Sequence, residues 1–311
     1  MLLPAHFFDS KRRVLFYGTT PPRGGATPED VQLSAEKLIA RTKNLSLDGL
    51  IVYDVQDESE RTGEARPFPF LPTLDSRVYS QILHQLSDLP VITYKSATQM
   101  NEADWQEWLT QSARDGISAL SLVGSPTRKW GGDTISLLRA TEMARAHPAR
   151  FSIGGVAIAE RNSESRSESQ RMIQKAQAGC DFFVSQSVYN SQKTITLLNN
   201  YMRECREAGL SPKHVILTFA PCGQAKTLEF IKWLGVSVPD SIERSILGAA
   251  DPLSHSIEIC RSILGEILGA IEDKSLPLGL NIESVSNKKQ EIDASVELFQ
   301  VLAKEIQKFS G

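Results

Sequence analysis

A single-domain α/β fold, a (β/α)8 TIM barrel over residues 1–311, is predicted by three observations. Eight short apolar runs alternate with amphipathic stretches along the whole chain. The runs are nearly continuous in apolar residues, as parallel strands covered on both faces are. None leads into G-x-G-x-x-G, so an open doubly wound sheet lacks its fingerprint, and no linker or internal repeat marks a second domain.

Residues 1–12 read as an N-terminal extension. Arg13–Tyr17 is the first strand, and Gly18-Thr-Thr-Pro-Pro-Arg-Gly-Gly25 breaks it. Thr27 caps a helix with Pro28 at its first position, running to about Lys43. Gly49–Tyr53 is the second strand, followed by a long polar loop over residues 54–72. Its length and acidity suit a lid. Spacing at Val78, Ile82 and Leu86 predicts a helix over Leu74–Leu89, and Val91–Tyr94 is the third strand. Asn101–Arg114 reads as helix, Ala119–Val123 as the fourth strand and Gly124–Gly132 as loop. Asp133 is expected to cap the helix that ends near Ala146.

Phe151–Ala157 is the fifth strand, followed by a charged turn and a helix ending near Ala178. Phe182–Ser185 is the sixth, with Gln186 just past it. Helices over Ser191–Ala208 and Ala225–Leu234 flank the seventh strand, Val215–Phe219. Pro239 to about Asp273 is helical with a break near Asp251-Pro252. Leu278–Ile282 is the eighth strand, and Asp293–Lys308 closes the chain as helix.

A hydrophobic content of 41% supports a sizeable core. A net charge of −3 and a pI of about 6.0 give no electrostatic support for nucleic-acid or anionic-membrane partners. No apolar run is long enough to span a bilayer, and the N-terminus lacks a signal-peptide layout. Cys180, Cys205, Cys222 and Cys260 are widely spaced and suit free buried thiols. A cytoplasmic protein is expected.

Ligands of such barrels bind at the C-terminal ends of the strands, so the residues there are candidates whatever the chemistry. They include Gly18, Tyr53, Asp54, Asp57, Glu58, Thr93, Tyr94, Gly124, Ser125, Arg128, Glu160, Arg161, Gln186, Tyr189, Cys222, Asn281 and Glu283. No histidine is among them; His214 falls at the start of strand seven, on the opposite face. Without His and Cys at ligand spacing, a zinc or iron site is not expected. Ser125 lacks a base partner, and a lone Cys222 is usually inert packing. The remaining amides, hydroxyls and carboxylates suit a planar, hydrogen-bonding organic ligand. A carboxyl kept protonated by burial would serve as its general acid.

Several motifs resemble the methylenetetrahydrofolate reductase family. They are Pro21-Pro22-Arg23, Gly124-Ser-Pro, Gly154-Gly-Val-Ala…Glu160, Lys175-Ala-Gln-Ala-Gly-Cys-Asp-Phe-Phe-Val-Ser-Gln186 and Phe230-Ile-Lys-Trp-Leu-Gly-Val-Ser-Val-Pro239. The order matches from about Val14 to Leu302. The resemblance implies a (β/α)8 barrel that reduces 5,10-methylenetetrahydrofolate to 5-methyltetrahydrofolate with hydride from NAD(P)H, normally through FAD. It implies that Gln186 holds the pterin, with Tyr189, Asp57 and Asn281 also near substrate. Cofactor contacts are implied at Lys175, Tyr53, Thr93, Gly124, Ser125 and Glu160.

The departures are specific. Gly18 stands where the family carries a strand-one glutamate, and Val123-Gly124-Ser125 stands for its flavin-holding Arg-Gly-Asp. The histidine expected near Thr93 is absent, and Ile158-Ala159 replaces a Tyr-Pro. The pattern is closer to a branch without FAD, in which NAD(P)H gives hydride directly. The acid then comes from another carboxylate: Glu58 first, with Glu283 and Asp57 behind it. The alternative is a folate-binding barrel that has lost hydride chemistry and partners a one-carbon or methyl-transfer enzyme. A homo-oligomer is compatible with either.

Overall fold

The apolar runs pair as their alternation requires. The computed structural model describes Phe8 and residues 12–58, 63–124, 134–161 and 167–308. In chain order the elements are β1 (Leu15–Thr19), α1 (Pro28–Thr42), β2 (Gly49–Val52), α2 (Ser76–Ser87), β3 (Val91–Ser96), α3 (Glu102–Arg114), β4 (Ala119–Val123) and α4 (Leu137–Ala146). They continue as β5 (Ser152–Ala157), α5 (Glu168–Gln177), β6 (Phe182–Ser187), α6 (Ser191–Glu207), β7 (His214–Phe219), α7 (Ala225–Trp233), α8 (Asp240–Leu247), α9 (Pro252–Ala270), β8 (Leu278–Glu283) and α10 (Lys289–Lys308). The strands are parallel, pair in sequence order and close into a barrel through β1 and β8. No helix among the described residues is long and apolar enough to cross a membrane.

Local chemistry moves several boundaries from their expected places. Asp48 accepts the Leu15 amide at 2.8 Å and pairs with Arg12, so the first strand starts later and carries Gly18 and Thr19 within it. Ser136 caps α4 by accepting the Arg139 amide at 3.2 Å. The expected cap, Asp133, lies outside the described residues, as do Ser125 and Arg128. The last helix starts at Lys289 rather than Asp293, because Ser286 and the buried Glu291 already bond across its first turn. The break at Asp251-Pro252 is real: Asp251 caps α9 with proline at its first turn.

The sixth strand differs most from the reading. It continues through Gln186 to Ser187. The Ser185 hydroxyl accepts the Thr218 amide at 2.9 Å, taking a place in the ladder. Register then runs from Val184↔Ile216 to Ser187↔Thr218, so β6 gains one residue on β7 across this bulge. Ser187 consequently faces the barrel interior.

Two cores result. The larger lies between strands and helices. The smaller fills the barrel with Val14, Phe16, Ile51, Ile92, Tyr94, Ala119, Phe182, Val184 and Ile216. Its floor is plugged by Phe8, stacked on Phe182 at 4.4 Å between ring centroids and tilted on His214 at 5.6 Å. Gly154 makes that packing possible, since a Cβ there would lie 2.2 Å from the Phe182 ring. His214 is buried, with Nε2 2.9 Å from the Arg12 carbonyl oxygen.

Candidate active site at the barrel mouth

The inward positions nearest the C-terminal strand ends form a polar layer above the apolar filling. Asn281 is fully buried on β8, and its Nδ2 donates to the Tyr53 hydroxyl at 2.7 Å and to Thr218 Oγ1 at 3.3 Å. Its Oδ1 is buried without a partner. Glu283 ends β8 half-buried, two residues further up the same inward face. Ser187 Oγ donates to Glu283 Oε1 at 3.0 Å, and the Tyr53 hydroxyl lies within electrostatic reach of the carboxyl. Burial raises the pKa of Glu283 above the usual carboxylate value, while Tyr53 and Ser187 oppose the rise.

Glu283 is also the register partner of Gly18 across the β1/β8 seam. The carboxyl therefore stands one strand over from the position where the family places its acid. At Gly18 itself a Cβ would lie 3.0 Å from the Tyr53 ring and 3.1 Å from Asn281 Oδ1. Tyr53 and Asn281 thus occupy the volume into which a strand-one side chain would project.

Two segments roof this layer. The Leu234 carbonyl accepts Gln186 Nε2 at 2.7 Å, and Glu160 Oε1 accepts the Ser237 amide at 3.0 Å. These bonds hold the chain after α7 over the β5–β6 side. The strand-two loop reaches toward it from the other side. Asp54 anchors its start by accepting the Ser96 amide at 2.9 Å, and burial raises the Asp54 pKa. Trp233 Nε1 donates to the Glu64 carbonyl at 3.2 Å, and the Arg66 guanidinium lies 5.1 Å from the Phe230 ring centroid and 5.5 Å from that of Trp233. The loop returns along the strand-one loop, where the Gly24 amide donates to the Pro72 carbonyl at 2.8 Å. Asp57, exposed, and Glu58, half-buried, lie in this loop within electrostatic reach of Arg66.

The structure thus gathers Tyr53, Asn281 and Glu283 on the inward face of the mouth, with Glu58 and Asp57 in the strand-two loop. Other expected positions turn elsewhere. Thr93 is fully buried and donates to Ser80 Oγ on α2 at 2.8 Å, because odd-numbered β3 residues face the helix layer. Tyr189 is fully buried, its hydroxyl on the Ala220 carbonyl at 2.6 Å. Lys175 lies behind β5, its ammonium on the Val156 carbonyl at 2.6 Å and 3.9 Å from the buried Glu168, and burial lowers its pKa. Gly124 is exposed at the end of β4. Gln186 is half-buried at the roof joint with Oε1 unpartnered. Of the positions carried over for cofactor contact, Tyr53 stands in the mouth cluster and Glu160 at the roof, Thr93 and Lys175 turn away, and Ser125 lies outside the described residues. Cys222 is buried, and burial pushes its thiol up to about 12, far from a thiolate nucleophile.

Ser187 and Arg66 were not singled out from the sequence. Ser185 and Ser187 in an apolar strand were the available sign of the bulge, but a bulge has no fixed sequence rule. Arg66, after Glu64-Ala65 and before Pro67-Phe68, has no sequence sign that separates it from solvated loop charge.

A closed (β/α)8 barrel with a desolvated acid and an unpartnered amide oxygen at its mouth defines a small-molecule site. The chain matches the methylenetetrahydrofolate reductase family over residues 73–268. A solved protein from Clostridium thermocellum, which binds two copies of 5-methyl-5,6,7,8-tetrahydrofolic acid, is 30% identical over 99% of this chain and 100% of its own, with a TM-score of 0.81. The chain belongs to the methylenetetrahydrofolate reductase family. An oxaloacetate acetylhydrolase (12% identity, 89% of this chain and 78% of that one, TM-score 0.48) and a phosphonopyruvate hydrolase (11%, 97% and 85%, 0.48) are too distant to carry a functional argument. No curated protein matches the sequence.

Proposed function

We propose that the chain binds a reduced folate at the barrel mouth and reduces the methylene bridge of 5,10-methylenetetrahydrofolate. The observation that carries the reading is Glu283, a desolvated carboxyl paired in register with Gly18. Glu283 gives its proton to the ring nitrogen that leaves the methylene carbon, the C–N bond opens, and the resulting iminium carbon takes up hydride. NAD(P)H supplies that hydride and leaves as NAD(P)+, without a flavin between them. Water returns the proton to Glu283. Asn281 Oδ1 is free to accept a pterin N–H, and the roof excludes bulk water from the iminium. Family membership and the folate-binding neighbour support the ligand class.

The test is steady-state oxidation of NADH or NADPH by methylenetetrahydrofolate with protein purified free of added flavin. Turnover by a colourless preparation is expected; turnover that requires added FAD would overturn the direct route. The second reading, a folate-binding barrel without hydride chemistry, is favoured by Gly18 at the family's acid position. It predicts a folate-induced thermal shift with no nicotinamide oxidation.

A further inference from the structure

We infer that Tyr53 and Asn281 form a directional relay that holds the Glu283 carboxyl in place and steadies it once its proton has left. The inference rests on the reading of Glu283 as the acid and gives both neighbours a positioning role in it.

An amide nitrogen can only donate, so the 2.7 Å contact from Asn281 Nδ2 makes the Tyr53 oxygen an acceptor. The single hydroxyl proton of Tyr53 is then left for the neighbouring Glu283 carboxyl, which acts on that hydroxyl. Thr218 Oγ1 takes the second amide proton at 3.3 Å and fixes the amide plane. Ser187 supplies an independent donor to Oε1 from the β6 bulge. The carboxylate formed by proton transfer therefore finds two O–H donors already aimed at it, with no reorganisation during the step.

The surroundings favour this use. The titratable groups that feel Glu283 are Tyr53, Tyr94 on β3, Tyr17 on the outer face of β1 and Tyr189 beyond β6. Burial raises all four, so each is neutral at physiological pH and none masks the charge on Glu283. The relay also accounts for glycine on β1. Even a methyl at Gly18 would press on the Tyr53 ring at 3.0 Å and on both Asn281 amide atoms at 3.1 and 3.2 Å. An acid on β1 and a relay beneath an acid on β8 exclude one another.

The experiment compares wild type, Tyr53→Phe, Asn281→Asp and Glu283→Gln. The Glu283 carboxyl is titrated by its infrared C=O band, assigned by its loss in Glu283→Gln, alongside kcat and KM. Removing the Tyr53 donor is expected to move the carboxyl midpoint up by about one to two pH units. It should lower kcat on the order of 10- to 100-fold with little change in KM. Asn281→Asp replaces the donor by an acceptor that draws the Tyr53 proton away, so its kcat should fall to a similar extent. An unchanged carboxyl midpoint in Tyr53→Phe would overturn the relay whatever the turnover. Full turnover in Glu283→Gln with a shifted midpoint in Tyr53→Phe would instead remove the acid assignment and leave the relay standing.

Discussion

The two ends of the barrel are built from the same strands and treat polar groups in opposite ways. At the floor, His214 is buried but satisfied by the Arg12 carbonyl, and Phe8 closes the opening by stacking. At the mouth, level with Thr218 further along the same inward face of β7, Asn281 is again buried, yet its Oδ1 has no partner, and burial raises the pKa of Glu283. A buried polar atom without a partner costs free energy, about 1–3 kcal/mol. The floor avoids that cost and the mouth carries it. The difference supports the reading of the mouth as the ligand site, where a ligand can supply the missing partner, and of the floor as a stabilising plug.

Glu283→Gln should separate the two ends most sharply. As loss of a general acid it should lower kcat by roughly 10²–10⁴-fold. As removal of a desolvated carboxyl it should stabilise the fold. The native state raises the Glu283 pKa above 4.5, so it holds the proton more tightly than the unfolded chain does. That stabilisation is present below about pH 4.5 and is lost as pH rises through the folded-state value. The Gln variant, which does not ionise, should match wild type in acid. Above the window it should be more stable, by about 1.4 kcal/mol for each pH unit by which folding raises the pKa. Thermal melts across pH test this, and a variant that is less stable than wild type at pH 8 would contradict it.

How much of this was legible in the sequence follows from the range of the interactions. The barrel was legible because eight apolar runs and their helix caps are local features; Thr27, Asn101 and Asp251 all cap as residue type predicts. Glu283 and Asn281 were within reach because a strand's alternation fixes which residues share a face. What stayed hidden was long-range. The preference for Glu283 over Glu58 in the proposed role rests on the register Gly18↔Glu283, which joins residues from opposite ends of the chain. Thr93 reads as a strand-end residue open to the mouth, but β3 runs on to Ser96 and the Thr93 side chain turns to Ser80 on α2. Gln186 is expected to hold ligand; its Nε2 donates to the Leu234 carbonyl and its Oε1 is left without a partner, while the bulge at Ser185, which follows no fixed sequence rule, brings Ser187 to Glu283.

At the floor, Phe8→Ala removes the plug and leaves the mouth untouched. It should destabilise the fold by about 2–3 kcal/mol, below the usual range for a fully buried phenylalanine because Phe8 is only half-buried. Denaturant unfolding measures the loss. The kcat of the folded fraction should stay within about twofold of wild type, given the additivity of distant sites. A large fall in kcat would show that the floor and mouth are coupled.

The smallest effect is expected at the roof. Arg66 bridges the strand-two loop to α7 by lying over Phe230 and Trp233, with Phe70 at 5.6 Å on its other flank. Such contacts contribute about 0.5–2 kcal/mol together with the packing of the side-chain stem. Arg66→Met keeps much of the apolar stem and removes the charge, so the loop should open more often without unfolding the barrel. An open loop costs binding in proportion to the closed fraction lost, which predicts a rise in KM of about two- to tenfold with kcat nearly constant. Hydrogen exchange at residues 63–74 should speed up in the same variant, and the β1 and β8 amides should not. If kcat falls instead while KM holds, Arg66 acts on the chemistry beneath it, and the roof belongs with the mouth in the comparison.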